Sequence, residues 1–142
     1  MEKIAVIYWS GSGNTESLAK AILAGIKTVN EKAELYFVNK FNIEEINNYS
    51  RIALGCPSMG CEVLEETEFE PFFEAIETKI IGKKVALFGS YDWGDGEWMR
   101  NWEKRVHNSG AKLVAAGLIV NGLPTEEELL LGKSLGETLA KE

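Results

Sequence analysis

Of its 142 residues the chain has only two cysteines, three prolines and one histidine. Two thiols, Cys56 and Cys61, are too few for a disulfide scaffold and agree with a reducing compartment. Five residues apart in one loop, they could pair only by distorting it, and Cys56 reads instead as a buried structural thiol. The single histidine, His107, has no metal-ligand set around it and no nucleophile beside it, and its helical context makes it a surface residue. No apolar run approaches the roughly 20 residues that a membrane helix needs. The apolar part of Met1 to Ser10 is too short for a secretion signal, so a cytoplasmic location away from membranes is expected. Positive charge is also scarce, with 15 basic against 22 acidic residues and a net charge of −7. Nucleic acid, which is bound by neutralising phosphates with Lys and Arg, is a poor partner for such a surface. Basic protein surfaces, attracted at long range, are better ones.

What is present is ordinary globular material: 45% apolar and 26% charged residues, at a length that suits one domain over 1–142. Lys3 to Trp9 is a continuous apolar run ending at a Gly/Ser cluster, as in a parallel strand buried on both faces. From Thr15 the period becomes helical through Leu18, Ile22, Ile26 and Val29. Further strands are expected at Ala33 to Val38, Ile52 to Gly55, Lys84 to Gly89 and Leu113 to Val120, the last interrupted at Gly117. A helical turn is expected at Ile43 to Asn48, and a helix at Glu68 to Lys79, with Phe69, Phe72, Phe73 and Ile76 on one stripe and Pro71 near its start. Glu97 to Asn108 places Trp98, Trp102 and Val106 at helical spacing and stops at Gly110. Pro124-Thr-Glu-Glu-Glu opens a final helix with acidic residues at its positive end. Regular βα alternation predicts an α/β fold with a three-layer, doubly wound parallel sheet. Ligands of such sheets sit at the carboxyl ends of the strands, which here lead into three unusual loops: 10–15, 56–62 and 90–96.

The first loop, Ser10-Gly-Ser-Gly-Asn-Thr15, combines two glycines with hydroxyls and free N–H groups at a helix start, an anion site in the making. Its blander reading is a capped turn with Asn14 or Thr15 as N-cap. A Walker loop needs Gly-Lys-Ser/Thr, and no basic residue occurs here before Lys20. The dinucleotide fingerprint wants a small residue where Glu16 stands, and a carboxylate there opposes a pyrophosphate. A phosphorelay receiver needs acidic residues at the ends of its first and third strands, where this chain has Trp9-Ser10 and Gly55-Cys56. One monophosphate held by neutral donors fits best.

With all three loops considered, the chain resembles the short-chain flavodoxins of anaerobic bacteria over nearly its whole length. The matching runs are Tyr8 to Glu16, Leu54 to Gly60, Glu68 to Phe72, Gly82 to Tyr91 and Trp93 to Met99. The resemblance implies a five-stranded sheet of order 2-1-3-4-5 with FMN between strands 1 and 3; flavodoxin is the standard example of that arrangement. It further implies that Ser10, Ser12, Asn14 and Thr15, with the N–H groups of the loop that includes Gly11 and Gly13, hold the phosphate, helped by Ser90. Met59 would cover the inner flavin face and Trp93 the outer one, with Pro57, Ser58 and Tyr91 beside them. Glu62 would accept from the flavin N3–H, and N–H groups near Asp92, Trp93 and Gly94 would meet a pyrimidine oxygen. On reduction the Gly60–Cys61 peptide would turn its carbonyl to the flavin N5–H in a type II turn with positive φ at Cys61.

The implied function is a monomeric, acidic, low-potential one-electron carrier that cycles its FMN between semiquinone and hydroquinone for basic-surfaced reductase and acceptor proteins. No conventional catalytic set occurs in the sequence, which supports a carrier over an enzyme. The alternatives are an FMN-dependent quinone or azo reductase, and a dedicated flavoprotein reductant of one metalloenzyme.

Overall fold

A computed structural model describes residues 2–142. Its elements alternate as the sequence periodicity predicts. Strand β1 (Ile4–Tyr8) leads to helix α1 (Asn14–Lys27), followed by β2 (Ala33–Phe37) and β3 (Arg51–Gly55). Then come α2 (Phe69–Glu77), β4 (Lys84–Tyr91), α3 (Glu97–Asn108), β5 (Lys112–Leu113), β6 (Leu118–Asn121) and α4 (Glu126–Lys141). Between β2 and β3 the chain makes 3₁₀ turns at Val38–Lys40 and Ile43–Asn48. All strand pairs are parallel, in the order β2-β1-β3-β4-β5, with β6 also on β4.

Period-two alternation divides each strand between two cores. Ile4, Val6 and Tyr8 point to α1 and α4, where they meet Leu18, Ile22, Ile26 and Leu139. Ala5 and Ile7 point to the other layer, built from Phe69 and Phe73 of α2 and Trp98 and Trp102 of α3. Burial on both faces is why β1 reads as an unbroken apolar run. Trp98 and Trp102 are core residues, 2% and 1% exposed, and His107 is an exposed helix residue.

Helices α1 and α4 touch through their backbones. A Cβ on Gly25 would lie 1.9 Å from the Lys133 carbonyl oxygen, and one on Gly136 would lie 2.1 Å from that of Ile22. A reciprocal capping box opens α4: the Glu128 N–H donates to Thr125 Oγ1 at 3.1 Å and the Thr125 N–H to Glu128 Oε1 at 3.0 Å.

The last strand is split. Ala86 and Leu87 of β4 span the same stretch as residues 114–117 on the neighbouring strand, so the surplus bulges out of the ladder between β5 and β6. The Gly117 N–H donates to Glu103 Oε2 of α3 at 2.7 Å, which draws the bulge toward the helix. A Cβ at Gly117 would lie 2.5 Å from the Met99 sulfur, so the bulge packs closely on the Met99 side chain.

From β1 the chain winds one way to β2 and the other way to β3. The reversal leaves a crevice at the carboxyl ends of β1 and β3.

Candidate cofactor site

The loop after β1 is organised by serine hydroxyls. Ser10 Oγ accepts from the N–H groups of Gly13 (3.1 Å) and Glu16 (3.3 Å), and Ser12 Oγ accepts from the Asn14 N–H (3.3 Å). The N-cap of α1 is Gly13, at φ 97°, rather than Asn14 or Thr15, which form the first helical turn. A left-handed backbone at the cap is what closes so tight a turn, and glycine adopts it without strain. Among the described residues, the N–H groups of Gly11, Ser12 and Thr15 meet no protein acceptor. They are the orphan donors of a helix N-terminus, placed where a phosphate is favoured. Glu16 turns away to take the Tyr8 hydroxyl at 2.8 Å and Lys20 at 3.4 Å. The Tyr8 hydrogen bond, aided by Lys20, holds the Glu16 carboxyl below its usual range, while burial and that same carboxylate push Tyr8 up to about 12.

The second loop leaves β3 through Cys56, which is wholly buried and whose thiol is pushed up by burial. The N–H groups of Cys56 and Ser58 continue the sheet ladder to the carbonyls of Phe88 (3.1 Å) and Ser90 (2.9 Å). Residues 59–63 then form a tight hairpin, Met59 and Val63 exchanging both backbone bonds at 2.8 and 2.9 Å. Its positive φ values fall at Gly60 (50°) and Glu62 (53°), whereas positive φ at Cys61 is the expectation for the turn on reduction. Cys61 is exposed at the tip, and both cysteines are free thiols. The far end of the loop is fixed by Glu65, 5% exposed, whose carboxylate accepts from the N–H groups of Thr67, Glu68 and Phe69 at 2.8–2.9 Å and from the Thr67 hydroxyl.

The third loop joins β4 to α3 and meets the second. Trp93 is 56% exposed and its indole N–H donates to the Gly60 carbonyl at 3.2 Å. Glu62 Oε1 accepts from the N–H groups of Gly96 (3.2 Å) and Glu97 (2.9 Å), so one carboxylate oxygen serves the N-terminus of α3. Gly94 has to be glycine for that approach, because a Cβ would lie 2.4 Å from the Glu62 carboxyl carbon. Ser90 and Thr15 hydroxyls meet at 2.8 Å and tie the third loop to the first.

Between the three loops lies a cleft of about 250 Å³. Its lining combines the hydroxyl residues Ser10, Ser12, Thr15, Ser58 and Ser90 with Trp9, Met59, Tyr91 and Trp93. Gly11, Pro57 and Asp92 complete the wall. Gly13, Asn14, Gly60, Cys61, Glu62 and Gly94 lie in the three loops that frame the cleft without lining it. Trp9 was not among the residues singled out from the sequence. It shares the strand parity of Ala5 and Ile7, packs toward the α2 layer, and donates its indole N–H to Glu68 at 3.0 Å. Ser58 Oγ is buried without a hydrogen-bond partner in the protein. Such a hydroxyl is costly unless something in the cleft engages it. No group of His, Cys, Asp and Glu that could hold a metal ion occurs among the described residues, and none of their helices is long and apolar enough to cross a membrane.

A cradle of neutral donors beside an aromatic slot, at the switch point of a doubly wound sheet, defines the class: an α/β protein shaped for a monophosphate ester with a planar ring. The comparisons with known proteins are specific. The Flavodoxin family model matches residues 6–132. A flavodoxin of Clostridium beijerinckii is 52% identical over 87% of this chain and 89% of its own, and one of Megasphaera elsdenii is 42% identical over 97% and 98%. The solution structure of the two-electron reduced Megasphaera elsdenii flavodoxin superposes with a TM-score of 0.88 over 98% of this chain and 99% of that one. The chain belongs to the flavodoxin family, the FMN-binding electron carriers. The hydroxyl residues and the aromatic residues of the cleft suit the phosphate and the ring of that cofactor.

Proposed function

We propose that this chain is a low-potential carrier that moves one electron at a time between the singly and doubly reduced levels of a non-covalently bound FMN. It acts as a cytoplasmic monomer that docks basic-surfaced reductase and acceptor proteins. FMN supplies the electron chemistry; the protein supplies its orientation and electrostatics.

Each residue then has a task. The free N–H groups of Gly11, Ser12 and Thr15, with the hydroxyls of Ser10, Ser12 and Thr15, hold the phosphate dianion at the positive end of α1, and Ser90 positions Thr15. Gly13 and Asn14 shape that turn. Met59 and Trp93 sandwich the ring, with Trp9, Pro57 and Tyr91 along its edge. The Gly60–Cys61 hairpin tip faces the ring's reactive edge. Glu62 keeps Oε1 on α3 and offers Oε2 to the ring's N3–H, while N–H groups from Asp92 to Gly94 face a ring carbonyl. Net charge of −7 disfavours an added negative charge on the ring and steers basic partners.

The observation that carries the reading is the set of hydroxyls lining the cleft, with its unpartnered Ser58 and the three free N–H groups. Titration of flavin-free protein with FMN and with riboflavin tests it. One-to-one binding with much tighter FMN affinity is expected, and equal affinity for the two contradicts the phosphate assignment.

A further inference from the structure

Helices α1 and α4 touch through Gly25 and Gly136, and beside that contact they leave a trough of about 390 Å³. Ala21 and Ala24 of α1 line one side, and Leu129 and Leu130 of α4 the other, with Glu126 and Lys133 flanking the leucines. Spacings of three and four residues put Glu126, Leu129, Leu130 and Lys133 on one face of α4. Leu130 is 63% exposed there, and its neighbour Leu131 is exposed as well. Single exposed leucines are ordinary, but leucines that share an apolar trough mark a surface that another molecule covers. Among the described residues, no side-chain hydrogen bond or ion pair engages Glu126, Glu127 or Lys133. None of the trough residues lines the cleft.

We propose that this trough docks an amphipathic helix of a partner protein, one with leucine-sized side chains on its apolar face and a basic residue that meets Glu126. The α1 side chains at Ala21 and Ala24 stop at Cβ, so a third helix can lie against both helices and seat its apolar residues between the alanines and the leucines. Charge selects the sequence at one end of that helix. Glu126 and Glu127 are unpaired carboxylates at the start of α4, and a Lys or Arg brought against them gains an ion pair as the leucines are covered. A second copy of the chain is a poorer occupant, because two molecules of net charge −7 repel. The trough lies apart from the cleft, so this docking does not depend on what the cleft holds.

The probes are two synthetic helical peptides of about 15 residues with leucines along one face, identical except for lysine or glutamate at one end. Backbone amide shifts of the isotope-labelled protein show where each binds. The expected result is saturable shifts centred on Ala21, Ala24, Leu129 and Leu130, with the lysine peptide bound roughly threefold tighter at low salt. Leu130→Gln is expected to weaken the lysine peptide about tenfold while leaving thermal unfolding in place, since the side chain is exposed. Glu126→Gln is expected to remove the preference between the two peptides. Absent binding, or shifts centred on the cleft loops, overturns the proposal. Equal affinity of the parent protein for both peptides also overturns it, by reducing the trough to a nonspecific apolar surface. Sedimentation of the parent chain alone is expected to show no pairing; pairing that Leu130→Gln abolishes assigns the trough to a second copy and overturns the partner helix.

Discussion

Glu62 reaches across the cleft mouth to Glu97, its Oε1 accepting the first N–H of α3 at 2.9 Å although the two residues lie on different loops. Glu62 is also the one non-glycine residue with positive φ among those described, at 53°. A left-handed backbone costs a residue with a Cβ about 1 kcal/mol, and the helix cap is what offsets it. The hairpin and α3 are therefore one mechanical unit. Glu62→Ala removes the cap and keeps the strain, and is expected to lower stability by about 1 kcal/mol in urea unfolding.

Acid sensitivity centres on Glu65. Burial works against its charged form, but the Thr67 hydroxyl and the N–H groups of Phe69, Thr67 and Glu68 outweigh that and hold the carboxyl below the usual glutamate range. A group with a lowered folded pKa contributes stability that is complete above its unfolded value and is lost as pH falls through the folded one. Stability of the parent protein is expected to decline over that acid window. Glu65→Gln should be less stable near neutral pH and show a shallower decline in pH-dependent unfolding.

Trp93 lines the cleft and, in the proposed complex, covers the outer face of the ring. Trp93→Ala is expected to weaken FMN binding at least roughly tenfold, while Trp93→Phe retains most of the affinity because stacking persists without the indole N–H. Fluorescence titration reads both.

Gly89 holds β4 against the exit of β3. A Cβ there would lie 2.2 Å from the Cys56 carbonyl oxygen, a backbone atom that cannot step aside. Gly89→Ala is expected to destabilise the protein by about 3 kcal/mol in thermal unfolding and to displace Ser90 from Thr15.

The strands were legible because each buried strand is a short unbroken apolar run, and α3 because Trp98, Trp102 and Val106 mark one face between Glu97 and Gly110. The three loops were legible by composition, since hydroxyls, glycines and a tryptophan outside any period have no use in a core. Three features were not. Trp9 ends an apolar run and so passes for core; only its parity with Ala5 and Ile7 and its place just before Ser10 mark it as cleft wall. The cap of α1 fell to Gly13 because the tight turn demands a left-handed backbone, which outranks the side-chain preference of Asn14 and Thr15. The positive φ at Glu62 depends on a bond to a helix end 35 residues away, which no local pattern encodes.

The central claim, a carrier that moves single electrons on bound FMN, is tested most directly by stepwise anaerobic reduction of the FMN-loaded protein under a redox indicator. The account predicts two separate one-electron steps, the second at a lower potential than for free FMN. A single two-electron step, or a second potential no lower than that of free FMN, would contradict it.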